Sequence, residues 1–214
     1  MWSELLAIIF PDRCISCGRE GSLLCAICER TITSRPIALS GTVAALYDYK
    51  NPLIKKAIWA LKYQHKRALG KYFGIALYRE FFKQLARSKK ENGDIYLIPI
   101  PAGKKARTLR GYNHATVIAN AIAEAAAKDG LKLIVRDDIL IKRHETTQQV
   151  KVKEKRKREQ NVEDIFVAEN AEELRGKTVI LVDDVITTGS TVLDAKRAVK
   201  VWGPKRLLVI AVAH

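Results

Sequence analysis

VILVDDVITTGST, residues 179–191, is the stretch on which the reading of this chain turns. Val179, Ile180, Leu181 and Val182 form an unbroken apolar run, as a strand covered on both faces requires. Asp183 and Asp184 close that run at its carboxyl end, where open α/β sheets bind their ligands. Thr187, Thr188, Gly189, Ser190 and Thr191 then lead into a helix expected over Thr191–Trp202, with Val192, Ala195, Val199 and Trp202 on one side. Gly189 permits tight curvature, and the N–H groups and hydroxyls at a helix start can surround a phosphate. Two adjacent carboxylates suit a pair of sugar hydroxyls, each accepting one hydrogen bond. The same residues also suit a plain turn and helix cap. Neither GxxxxGK nor GxGxxG occurs, so the two common nucleotide-binding fingerprints are excluded.

Outward from this stretch, strands alternate with helices. Strands are expected at residues 42–49, at IYLIPIP (95–101), at 131–135, near Ile139, at 163–168 beside them, at 178–184 and at 207–213. Helices are expected from Leu53 to Tyr63, from Leu69 to Ala86 with Phe73, Leu77, Phe81 and Leu85 on one face, and over 115–128. Trp59, at helical spacing, is expected in the core. The alternation predicts an α/β domain with a mainly parallel sheet flanked by helices.

All four cysteines lie at Cys14, Cys17, Cys25 and Cys28, as two CxxC pairs seven residues apart. They could form disulfides or a redox pair. Four thiolates in a tetrahedron around Zn²⁺ is the favoured reading, and it leaves no open position for catalysis. Gly18 and Gly21 fall where each knuckle must turn. A unit of this size buries little core, so metal binding would supply its folding energy. The expected division is a Cys₄ zinc-finger module at 1–35 and a larger domain at 36–214. No basic leader precedes MWSELLAIIF, and Glu4 interrupts it, so a secretory signal is not expected. With these thiols, a reducing cytoplasm is the expected compartment. No run of 18 apolar residues is present, which argues against a membrane span.

Lysine and arginine number 38 against 23 acidic residues, a net charge of +15. Anionic partners are expected on that balance. From Lys142 to Arg158, eight basic residues face only Glu145 and Glu154. Such a tract repels itself and reads as a loop, about 142–161. A second basic stretch, KKARTLRGYNH (104–114), follows IPIP and offers Lys104, Lys105, Arg107 and Arg110 to anionic charge.

VILVDDVITTGST closely resembles the phosphoribosyl pyrophosphate signature of type I phosphoribosyltransferases. The whole chain resembles the ComF-type family of competence-associated proteins. The resemblance is carried by the CxxC pairs, IPIP with RGYNH (110–114), TTQQ (146–149) with the basic stretch to Asn161, and DDVITTGST (183–191). It implies a type I phosphoribosyltransferase-like fold in which Asp183 and Asp184 bind the ribose 2′- and 3′-hydroxyls and Thr187 to Thr191 cradle the 5′-phosphate. The turn at Pro101 to Lys105 would lie near the pyrophosphate. Residues 146–161 resemble the mobile loop that closes over pyrophosphate in amidophosphoribosyltransferases.

The implied reaction is displacement at the anomeric carbon by a nitrogen acceptor, with Mg²⁺ shared by ribose hydroxyls and pyrophosphate. Asp183, Asp184 and Arg110 are the expected catalytic residues, with Lys104 and Lys105 as further ligand contacts. His65, His114 and His144 are each available as a general base. The family also implies natural transformation, with single-stranded DNA and competence helicase or recombination proteins as partners. The basic tract and the finger could contact its phosphates, and Trp59, Tyr63 or Tyr112 could stack on its bases. In that alternative the phosphoribosyl site senses its ligand without turnover.

Overall fold

The computed structural model describes residues 12–32, 34–88, 94–103, 111–143 and 165–214. Cys14 to Cys28 form two knuckles, closed by the helical turn α1 (Ala26–Glu29). Gly18 and Gly21 take positive φ at their turns. Strands β1 (Ile37–Ser40) and β2 (Val43–Tyr47) follow. Helix α2 (Pro52–Tyr63) begins at an Asn51 cap, whose side chain accepts the Leu53 and Ile54 N–H groups at 2.9 and 3.2 Å. Pro52 at the first helical position needs no donor there.

The remaining elements are α3 (Arg67–Leu77), a π-helical turn (Tyr78–Phe82), α4 (Lys83–Ser88), β3 (Ile95–Pro99) and α5 (His114–Lys128). After them come β4 (Leu133–Val135), β5 (Leu140–Lys142), β6 (Phe166–Ala168), a 3₁₀ turn (Glu172–Leu174), β7 (Thr178–Val185), α6 (Ser190–Lys200) and β8 (Arg206–Ala213).

Six strands form one sheet in the order β1-β2-β8-β7-β3-β4, antiparallel only between β1 and β2. Successive side chains of a strand point to opposite faces, and both faces here are apolar. Ile95, Leu97, Ile180, Val182, Ile210 and Val212 pack with α2, α3 and α5. Tyr96, Ile98, Val179, Leu181, Val209 and Ala211 pack with α6 and with the small β5–β6 sheet. Leu23 and Ile32 of the knuckle region enter the first of these cores beside Leu46 and Tyr47.

Three expectations need correction. The helix expected from Leu69 to Ala86 contains the π turn, whose extra residue rotates the buried face. Phe82 is therefore buried, stacked with Tyr78, while Phe81 and Leu85 are only partly covered. The strand expected at 163–168, beside those at 131–135 and near Ile139, pairs with the latter, β5, but not with β4, so the two form a separate two-stranded sheet. Trp59 is not in the core: it is 52% exposed. Its neighbours Ile58 and Ala60 are buried, so helical rotation turns the indole outward. β1, too short and mixed to signal itself, was not expected. Among the described residues no helix is long and apolar enough to cross a membrane.

Candidate functional site

β3 and β7 lie side by side, and their chains then diverge. β3 continues through α5 to β4 on one side of the sheet order, while β7 continues through α6 to β8 on the other. Such a divergence opens a crevice at the carboxyl ends of the two strands. Asp183 and Asp184 stand at that end of β7. Across from them, the Ile100 N–H donates to the Val182 carbonyl at 2.9 Å, holding the Pro101–Gly103 turn beside the acids. A Cβ built on Gly103 would lie 3.6 Å from Lys142 Nζ, so a cation of the basic tract reaches this turn.

The period of the strand sends the two acids to different faces. Asp184 shares the face of Val182, towards α2 and α5, and is 7% exposed. Lys62, in the last turn of α2, places its Nζ 2.6 Å from Asp184 Oδ1. His114, the first residue of α5 and 2% exposed, places Nδ1 3.5 Å from Asp184 Oδ2. Asp183 Oδ1 accepts the Asp184 N–H at 2.8 Å. Burial first, then the negative charge of Asp184, pushes Asp183 up to about 8, against the opposing pull of that N–H and of Lys62.

Two contacts hold the surrounding elements. The Tyr112 hydroxyl donates to the Leu61 carbonyl at 2.6 Å, fastening the end of α2 to the entry of α5. The Asn113 amide donates to the Ile100 carbonyl at 3.1 Å while its Oδ1 caps Ala115. His65 takes a positive φ of 56° and lies near the Tyr112 ring, not at the acids.

Past Asp184, Ile186 is buried and Thr187 and Thr188 are exposed. Gly189 has φ 79°, which suits glycine, and it caps α6 without a side chain. The Thr188 and Ser190 hydroxyls lie 3.0 Å apart at the helix start, with Thr191 exposed beside them. The Ser190 N–H donates to the Thr188 hydroxyl at 3.5 Å, and N–H groups with clustered hydroxyls at the start of an 11-residue helix fit a phosphate.

At the knuckles, the four sulfur atoms of Cys14, Cys17, Cys25 and Cys28 all lie within 4.8 Å of one another. A zinc ion bound at about 2.3 Å would bring them to about 3.8 Å, so the set fits with a small contraction. Burial opposes ionisation of Cys14, but the N–H groups of Cys17, Cys25 and Ser16 outweigh it and bring the thiol down to about 6. The cluster is consistent with a structural zinc site.

Sequence reasoning brought forward Asp183, Asp184 and the hydroxyl turn, and all of them meet at the crevice. It left His114 as one of three histidines, of which this one alone among the described residues meets the acidic pair. It missed Lys62, gave Asn113 no role of its own, and offered Tyr112 for base stacking, whereas that ring is buried with its hydroxyl on Leu61. The alternation of Asp184 with Val182 signals a carboxylate facing helices, but nothing in the sequence says which lysine meets it. Lys104, Lys105, Arg107, Arg110, His144 and the tract beyond Arg143 lie outside the described residues.

Comparison with known proteins bears on this crevice. Residues 110–214 match the family described as Phosphoribosyl transferase domain. No curated protein matches the sequence. Among solved structures, the hypoxanthine phosphoribosyltransferase of Trypanosoma cruzi in a ternary substrates complex is similar at 10% identity and a TM-score of 0.44, covering 66% of this chain and 67% of its own. The hypoxanthine-guanine phosphoribosyltransferase of Bacillus anthracis is similar at 16% identity and a TM-score of 0.40, covering 68% and 69%. That of Leishmania donovani is similar at 11% and 0.39, covering 68% and 71%. Over residues 110–214 the chain is similar to phosphoribosyltransferase domains, and its described residues there form an α/β arrangement.

Proposed function

We propose that this crevice binds phosphoribosyl pyrophosphate and transfers its phosphoribosyl group to a nitrogen acceptor, releasing pyrophosphate. The observation that carries the reading is the acidic pair, Asp184 buried and Asp183 partly so, beside a hydroxyl-lined helix start, at the point where two neighbouring strands diverge. Asp183 and Asp184 would hold the ribose 2′- and 3′-hydroxyls, and Thr187 to Thr191 the 5′-phosphate. The Pro101–Gly103 turn with Lys142, joined by Lys104, Lys105 and Arg110, would face the diphosphate. In the transfer, a C–N bond forms at the anomeric carbon as its bond to the pyrophosphate oxygen breaks. The work of the chain is orientation and charge stabilisation, with no covalent intermediate on the protein.

Mg²⁺, when bound, neutralises diphosphate charge. Lys62 and His114 already flank Asp184, which favours an ion carried in on the ligand's own oxygens over one bound by that carboxylate. Calorimetry with phosphoribosyl pyrophosphate and Mg²⁺ is expected to give one binding event per chain, absent from the Asp183→Asn, Asp184→Asn double variant. Equal binding by that variant overturns the assignment.

A second reading has its own observation. Trp59 and Tyr63 lie outside the core at 52% and 56% exposed, with ring centroids 5.6 Å apart. Arg13, Lys56 and Lys66 line a groove of about 370 Å³ with Trp59 and Gln64. Flat rings among cations suit single-stranded DNA. This supports single-stranded DNA binding; we propose with it the rest of the alternative, a competence-linked protein of the cytoplasm with helicase or recombination partners that senses its ligand without turnover.

A further inference from the structure

We propose that Lys62 is a positioning residue of the acidic pair: its ammonium fixes the pair's negative charge on Asp184 and so sets the affinity for a vicinal diol at the crevice. The diol rests on the phosphoribosyl reading above; the role towards the pair does not. Lys62 lies outside the matched residues 110–214, on a helix that no signature includes.

The geometry is specific. Two adjacent carboxylates share one strand end, and like charges so close resist ionising together. A cation decides which of them keeps the charge. Among the described residues, the charged and titratable groups placed against Asp184 are Lys62 from α2 at 2.6 Å, His114 from α5 at 3.5 Å and Asp183 on its own strand. Lys62 is the closest of these. Its backbone is held in place, because the Tyr112 hydroxyl bonds the carbonyl of the preceding residue, Leu61. One oxygen of Asp184 meets Lys62 and the other faces His114, and a carboxylate has lone pairs to spare for a hydroxyl donor. Asp183 faces the opposite side of the sheet and retains the proton, consistent with its raised value. The pair thereby offers an acceptor and a donor, which a diol can meet together.

The test compares wild type, Lys62→Met and Lys62→Arg as zinc-loaded full chains. Aspartate carboxyl signals are followed by NMR against pH without ligand, assigned with Asp183→Asn and Asp184→Asn. Calorimetry with phosphoribosyl pyrophosphate and Mg²⁺ is run over the same pH range. Lys62→Met is expected to raise the titration midpoint of the pair by a unit or more. The affinity of Lys62→Met relative to wild type is then expected to fall by up to about tenfold per unit of that rise at pH values below the raised midpoint and to recover towards wild type above it, while Lys62→Arg restores both. Because the ligand titrates identically in every arm, the ratio between variants isolates the protein. An unchanged midpoint overturns the proposal, as does a loss of affinity equal at all pH values, which marks a merely structural lysine. If wild type binds nothing at any pH, the phosphoribosyl reading fails. The ligand-free midpoint then still supports or overturns the role of Lys62.

Discussion

Asp183 is pushed up to about 8 in the folded chain, against an ordinary value of 3.8, and burial is the first cause. Between those values the folded protein holds a proton that the unfolded chain has lost. Stability attributable to this group therefore falls as pH rises from about 4 to about 8. Asp183→Asn carries no charge in either state, so its thermal midpoint is expected to exceed wild type most at pH 8 and to match it near pH 4. A gap that widens towards acid instead contradicts the burial of this carboxyl. Asp183 and Asp184 were legible in the sequence because they end a four-residue apolar run. Lys62 was not, because a lysine on an amphipathic helix reads as solvated until its distance to Asp184 is known.

Among elements, α3 packs closely against α5. A Cβ on Gly74 would fall 2.5 Å from Ala121 Cβ and 2.7 Å from the Ile118 carbonyl oxygen. Both obstacles belong to α5, the helix that begins at His114, so its displacement would be felt at the crevice. Gly74→Ala gains about 1 kcal/mol of helix propensity but forces a clash costing typically 1–3 kcal/mol or more. A lower urea midpoint with an unchanged m-value is the expected result, and a raised midpoint would mean the helices can part freely. Strands β7 and β8 were legible because long apolar runs admit one reading. The helix after Arg67 was legible only to Leu77: Phe81 and Phe82 fit a helical stripe about equally well, and only packing chose Phe82. The small β5–β6 sheet was missed as a separate layer because three-residue strands reveal a partner only in space.

At the scale of the whole molecule, a chain of net charge +15 presents an exposed Trp59–Tyr63 pair, and Trp59 lines a groove with Arg13 and Lys66. If single-stranded DNA binds there, log affinity is expected to fall linearly with log salt. Removing both rings (Trp59→Ala, Tyr63→Ala) is expected to cost about 1–3 kcal/mol per stacked base without changing that slope. Salt-insensitive binding would rule out the electrostatic account. Charge excess was legible from composition alone, but its neighbour Trp59 was not, since helical spacing placed the ring inward. The knuckles share their apolar residues with the main domain, through Leu23 and Ile32 beside Leu46 and Tyr47. A metal bound only by the folded knuckles stabilises whatever folds with them, by a term that grows with the logarithm of its free concentration. Metal supply thus becomes a dial on the lifetime of the crevice: in a metal-poor cell the acidic pair would be lost by unfolding, with no substitution at the crevice itself.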